Sequence, residues 1–354
     1  MPIFDQGYQH WSGHLSNHAW RWLAITRRGI RTATQGRIVR LALVLAYLPA
    51  ILLVVVLCLW GLVERQSTAI DSIKPYLTAL LGRPILAGPR EYRVEIWTLS
   101  FHYFLWWELG FSMVLVLLVG PNLISQDLRY NALPLYFSRP LRRIDYFVGK
   151  LGVIVSLLTA VIILPCIVAY VMGLLFSLDI TILRDTSRIL LASITYGLVI
   201  ALSAGMLMLA LSSLSRNSRY VALFWMGIWL LTGIVSFVLM NIEQEQRRHQ
   251  PGVRPRFRAS DEFLTAEIEA GKSDWRPLLS YTANLRRVGE RLLRTNAAWE
   301  RLGQLSPPGQ RSQILWRMMG NQYPWYWSAA VLAGLFVVSS GILNFSVKSL
   351  DRLK

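Results

Sequence analysis

Acidic residues are scarce in this chain. Its 354 residues hold 20 Asp and Glu against 37 Lys and Arg, and the four types together make up only 16% of the sequence. A soluble surface needs about a quarter of a domain's residues charged, so a soluble globular domain is excluded. There are two cysteines, Cys58 and Cys166, both inside apolar stretches, where they read as small packing residues and say nothing of redox compartment. The apolar stretches lack the apolar-polar alternation of a transmembrane barrel, which excludes that architecture. No G-x-x-x-x-G-K-[ST] phosphate loop occurs, so the chain is not expected to bind a nucleotide itself.

What the chain has instead is long apolar runs. Hydrophobic residues make up 54% of it and mean hydropathy is +0.40. A hydrocarbon layer of about 30 Å needs about 20 helical residues to cross. Six runs qualify: Ile38–Val63, Tyr103–Ile124, Phe147–Leu175, Ile189–Leu214, Tyr220–Met240 and Trp325–Leu343. The expected fold class is therefore an all-α integral membrane protein, a six-span helical bundle. The first run starts only after a basic leader of roughly 37 residues, too late for a cleaved signal peptide, and reads as a retained span.

Sidedness follows from Lys and Arg in short loops. If the N-terminus is cytoplasmic, sixteen such residues lie inside and seven in short outside loops, the loop 241–324 being too long to count. Both termini are thus expected in the cytoplasm of a bacterial inner membrane. The formal charge of +17 is then mostly topology and attraction to anionic membrane lipid, and no nucleic-acid partner is expected.

Charge is concentrated at one place between greasy runs, "LISQDLRYNALPLYFSRPLRRIDYFVGK", residues 123–150. Leu128, Leu133, Leu135, Tyr136 and Phe137 alternate with Asp127 and Arg129, as suits a short surface helix. Pro134 breaks it into two turns, and Pro140 ends it. Arg142, Arg143, Asp145 and Lys150 mark the headgroup zone at which span three starts.

This stretch resembles the segment between spans two and three in permeases of the type-two ATP-binding-cassette exporter family. The matching features are the acidic-Arg pair Asp127 and Arg129, the Leu-rich turn Leu133 to Phe137, the junction Pro140 with Arg142 and Arg143, and Gly149-Lys150 opening the next span. The six-span plan agrees. The long loop after span five departs from the family pattern, and so does Pro134 where Thr-Leu-Glu is common.

The resemblance implies a coupling helix over 124–146. Asp127, Leu128, Arg129, Leu133, Leu135, Tyr136 and Phe137 would dock on a separate ATPase subunit, which carries the ATP and Mg. It further implies two copies of that ATPase, a second permease chain (identical or homologous), and a permease that catalyses nothing. The helix in "WRWLAITRRGIRTATQGRIVR" would be the connecting helix. Its Trp20, Trp22, Leu23, Ile25 and Ile30 are expected to face lipid from the inner interface.

Other features bear on the alternatives. Glu108, in "HYFLWWELGFS", is an intramembrane carboxylate and hence a candidate for a substrate path or gate. Trp106 and Trp107 beside it equally suit an interfacial belt with Glu108 at the outer headgroups. Ser193, Gly197, Ala201 and Gly205 give span four a small-residue seam, inside one subunit or between two. Pro165 should kink span three. His10, His14 and His18 share a helical face, but without acid or Cys neighbours they are not expected to bind metal.

The loop 241–324 should hold a helix over Ser260–Gly271, an amphipathic one over Ser280–Leu305 and a short third over Arg311–Met319. Together they would form an external cap or a contact for an extracytoplasmic partner. The domain plan is thus a cytoplasmic N-terminus over 1–37, spans one to five over 38–240, this loop, and span six with a cytoplasmic C-terminus over 325–354. Beside an exporter, the sequence leaves open a complex that passes force or signal outward without solute flux. The alternatives also include a membrane-embedded enzyme, which should cluster His, Asp or Glu within its spans, where only Glu108 and the flanking His102 approach that pattern. They include too an ion-coupled carrier, which should show an inverted repeat that the sequence does not display.

Overall fold

A computed structural model describes residues 20–133, 136, 142–177, 181–248, 275–305 and 323–351. Every regular element among them is helical. That is what lipid demands of a chain that does not close a barrel, because a helix satisfies its own backbone groups. Six helices are long and apolar enough to cross: Arg37–Glu64, Arg93–Arg129, Arg143–Ser177, Thr181–Leu214, Ser218–Leu239 and Trp325–Ser346. The face at which span one starts and span six ends is here the near face, and the opposite one the far face.

Span two starts ten residues earlier than the hydropathy places it, at Arg93 rather than Tyr103. Its first turns hold Arg93 and Glu95, which an apolar window rejects. Both are buried, because each finds its opposite charge. Arg93 grips Glu64 at the end of span one through two parallel bonds, Nε to Oε1 at 2.9 Å and Nη2 to Oε2 at 3.0 Å. The same carboxylate accepts from Trp60 Nε1 at 2.8 Å and from Ser177 Oγ at 3.0 Å, at the end of span three. The Arg93 Nη1 reaches Thr181 at 3.2 Å and Asp185 at 3.6 Å in span four. One ion pair therefore joins the far ends of four spans. Glu95 is held by Arg301 at 2.7 Å.

Span three carries a π turn over Thr159–Ile163 just ahead of Pro165, the kind of local rearrangement at which helices kink. A carbonyl of that turn, Ala160, accepts from the Tyr47 hydroxyl at 2.9 Å, where span one itself breaks before Pro49. The small-residue seam of span four faces span three, so it lies within the subunit. A Cβ on Gly197 would stand 2.9 Å from Ile163, and one on Gly205 2.7 Å from Leu151. Ser193 and Ala201 are fully buried in the same helix.

Two expectations change. The helix Arg21–Thr34 does not turn its apolar face wholly to lipid. Trp20 and Leu23 are exposed, but Thr26 donates to the Gly149 carbonyl at 2.9 Å, and Gly29 abuts Val153. Gly149, Gly152 and Gly29 remove side chains where this helix crosses span three, and that close crossing outweighs lipid contact.

The described part of the long loop, 275–305, is also no cap. The expected helix over Ser280–Leu305 is two, Tyr281–Leu293 and Thr295–Gly303, divided at Arg294 with φ 57°. The first is inserted among the spans. Tyr281 bonds Ser203 at 2.8 Å and lies edge-on to Trp225, both within apolar spans, and Gly289 admits the ring of Tyr196. Leu285 is fully buried there. An amphipathic helix with a glycine at the crossing gains more apolar contact between spans than above them. The segments expected over Ser260–Gly271 and Arg311–Met319 lie outside the described residues.

The Arg93–Glu64 pair yields a test. Arg93→Met should destabilise the detergent-solubilised protein by about 3–5 kcal/mol, since it strands a buried carboxylate. The double change Glu64→Leu with Arg93→Met removes both charges and should cost less. Denaturant unfolding of the three proteins measures the order, and a single variant as stable as the parent would refute the clip.

Candidate functional site

The charged stretch 123–150 is built from the end of span two and the start of span three. Span two is interrupted by a turn at Gly120-Pro121 and runs on as Asn122–Arg129. Gly120 is required there, because a Cβ would stand 2.2 Å from Met208 of span four. Ser212, one turn further along span four, then serves three backbone groups. Its Oγ accepts from the N–H of Ile124 at 3.1 Å and of Ser125 at 3.0 Å, and donates to the Pro121 carbonyl at 3.0 Å. Buried N–H groups at a helix start need such a partner. The Ser125 hydroxyl also donates to that carbonyl.

The other end is tied to span three. The Asp127 carboxylate meets Lys150 Nζ at 2.6 Å and accepts from the Tyr146 hydroxyl at 2.6 Å. Tyr136 tilts against Tyr146 with ring centres 5.4 Å apart, and the Lys150 ammonium stands 5.9 Å and 5.4 Å from the two rings. Burial, and then the Asp127 charge, push the Tyr136 hydroxyl above the usual phenol range. Span three starts at Arg143 because the Asp145 carboxylate accepts the Arg142 N–H at 3.2 Å. A cleft of about 780 Å³ opens between the helix Arg21–Thr34 and this segment, lined by Arg28, Arg37, Gln126, Asp127, Tyr136 and Lys150 among others.

This geometry redistributes the residues that the resemblance assigned to docking. Asp127, Leu128, Leu133 and Tyr136 turn inward, and of these Leu133 is buried. Gly149 and Lys150 face the interior contacts just described. Arg129, Arg142 and Arg143 are exposed. Leu135, Phe137 and Pro140 lie outside the described residues. Two exposed residues escaped the sequence reading: Tyr130, at 72%, with Arg129 5.8 Å over its ring, and Ile144, at 71%. The helical period carried the signal for the first. Leu123, Ile124 and Ser125 are buried, which sets Gln126, Arg129 and Tyr130 on the other face.

Glu108 lies midway along span two, fifteen residues after its start at Arg93. It is fully buried in span two, and neither carboxylate oxygen has a hydrogen-bond partner among the described residues, nor does the neighbouring Ser112 hydroxyl. Trp106 and Trp107 are the exposed members of that turn. His10, His14 and His18 lie outside the described residues. Among the described residues no three His, Cys, Asp or Glu side chains group as a metal site would require.

Set against known proteins, residues 109–301 match the family model described as ABC-2 family transporter protein. The matched range runs from span two through the inserted helix. No curated protein matches the chain.

If the Asp127–Lys150 pair holds the segment, Lys150→Met should let it open more often. A charged hydrogen bond worth about 1.5–3 kcal/mol corresponds to at least a tenfold rise in the open fraction. Limited trypsin digestion should then cut at Arg129 or Arg142 about tenfold faster than in the parent, while Tyr130→Ala leaves the rate unchanged. Equal rates in parent and Lys150→Met would show that the pair does not hold the segment.

Proposed function

The chain belongs to the ABC-2 family of transporter proteins, and from that premise we propose that it is the permease of an exporter driven by a separate ATPase subunit. The near face is the cytoplasmic one, in keeping with sixteen basic residues against seven. Two copies of the permease, or this chain with a homologue, pair with two ATPase subunits in a bacterial inner membrane. ATP and Mg reside on the ATPase, and this chain catalyses nothing. The cargo is left unassigned.

One observation carries the reading. The segment Asn122–Arg129 is fastened to span four through Ser212 and to span three through Asp127 and Lys150, yet turns Arg129 and the adjoining Tyr130 outward. A push on the outward side is thereby delivered to spans two, three and four together. The helix Arg21–Thr34 lies against the start of span three and brings span one into the same movement. ATP-driven closure of the ATPases is the source of that push, and the shift of these spans opens or squeezes a path between the two permeases.

Docking is tested by copurification. The double change Tyr130→Ala with Ile144→Ala removes two exposed apolar side chains, each worth about 1.5–3 kcal/mol when fully buried. Pull-down of the ATPase should fall at least tenfold, and cargo-stimulated ATP hydrolysis with it, while membrane insertion survives. Full pull-down and stimulation in the double variant would remove this surface from the contact.

Sidedness is tested by labelling. In a Cys58→Ala/Cys166→Ala background, an impermeant thiol reagent added outside should modify Gln250→Cys but not Arg352→Cys. Labelling of both from one side would overturn the assigned topology.

A further inference from the structure

The far end of span four carries Arg188, and the inserted helix ends on Arg291, followed by Arg294. Arg188 and Arg291 line one groove, and the charges of Arg291 and Arg294 both bear on Arg188. No carboxylate among the described residues pairs with any of the three. Asp185, one turn before Arg188, faces Arg93 at 3.6 Å, and Glu290, beside Arg291, pairs with Arg287 at 3.1 Å. Like charges brought together without an acid between them repel, and an anion among them relieves that.

Beside the arginines opens a groove of about 390 Å³ between span four, the inserted helix and the start of span six. Its floor and walls are mainly apolar, Leu191, Ala192, Val288 and Leu292, and the one hydroxyl among them, that of Thr195, is spent on the Leu191 carbonyl at 2.8 Å. Trp325 stands at its rim with Arg291 5.9 Å over the ring. Leu191 and Trp325 are exposed, at 64% and 41%, on spans whose outer surface meets hydrocarbon. A tryptophan at the start of a span marks the headgroup level.

Cations at headgroup level above an apolar slot match one ligand chemistry, a phosphate joined to an acyl chain. A free phosphate would satisfy the guanidinia and leave the slot unused. We propose that this groove holds an anionic phospholipid of the far-face leaflet, its phosphate between Arg188 and Arg291 and an acyl chain along Leu191 and Leu292. The bound lipid joins the inserted helix to span four at the end remote from the coupling segment.

The test uses the full-length protein in detergent, titrated with phosphatidylglycerol or phosphatidylcholine and read by native mass spectrometry. Phosphatidylglycerol should be retained in preference to phosphatidylcholine. Arg188→Gln with Arg291→Gln should weaken phosphatidylglycerol retention about tenfold and leave phosphatidylcholine unchanged. Arg188→Gln alone, an exposed residue without a hydrogen-bond partner to lose, should show a part of that loss should the double variant fold poorly. Leu191→Trp, which fills the slot and keeps every charge, should weaken retention as well. Equal retention of the two lipids, or unchanged phosphatidylglycerol retention in Arg188→Gln and Leu191→Trp, would overturn the proposal. So would displacement of the lipid by millimolar inorganic phosphate with Leu191→Trp silent, which would mark a site for a soluble anion.

Discussion

A guanidinium and a carboxylate, both withdrawn from solvent, hold the far ends of the first four spans together. In lipid there is no hydrophobic drive between helices, so polar contacts and close packing decide which helices associate. The Arg93–Glu64 pair is worth having because its remaining hydrogen-bonding capacity is used: Trp60, Ser177 and Thr181 complete it. With the far ends fixed, the glycine crossings along spans three and four set their spacing, and the near ends can be joined by a short segment. Spans two, three and four form the buried centre, with 50–56% of their apolar windows buried, while spans one, five and six are more open, at 22%, 17% and 22%.

The near-face segment depends on that frame. Ser212 can serve Pro121, Ile124 and Ser125 only because Gly120 lets span two touch span four. Asp127 finds Lys150 only because Asp145 starts span three at the right turn. Asp127, which a sequence motif would assign to a partner, is thus used inside the chain, and its ties to Lys150 and Tyr146 fasten the segment to span three. Stiffness is what a coupling element needs, since a loose one would absorb a displacement rather than pass it on. Arg129, Tyr130, Arg142, Arg143 and Ile144 stay exposed, and they are the surface that the proposed docking would use.

The inserted helix adds a second constraint at the far half of the bundle. It reaches Ser203 and Trp225 through Tyr281, and its Arg286 lies 4.8 Å over the ring of Trp106. It therefore contacts the same span two that carries Glu108, and any displacement of that span on transport is felt by it. Its amphipathic pattern was plain in Leu285, Val288 and Leu292, but the same pattern suits a helix lying on a surface and a helix between spans.

The amino-acid order by itself determined the membrane class and the six spans, and it marked the charged stretch 123–150 between spans two and three. These rest on local quantities: run length against membrane thickness, and charge between runs. It also located Pro165 and the glycine seam of span four, because a missing N–H or a missing side chain acts on its own helix. It did not reveal that Arg93 and Glu95 belong to a span, since a charged residue reads as loop until its partner is known, and Glu64 and Arg301 are distant in sequence. Nor did it reveal that Asp127 turns inward, that Glu108 is sealed within the protein, or that the helix Tyr281–Leu293 enters the bundle. Those were decided by tertiary structure alone, because whether a polar group faces water, lipid or a counter-charge depends on which other helices come within hydrogen-bond reach.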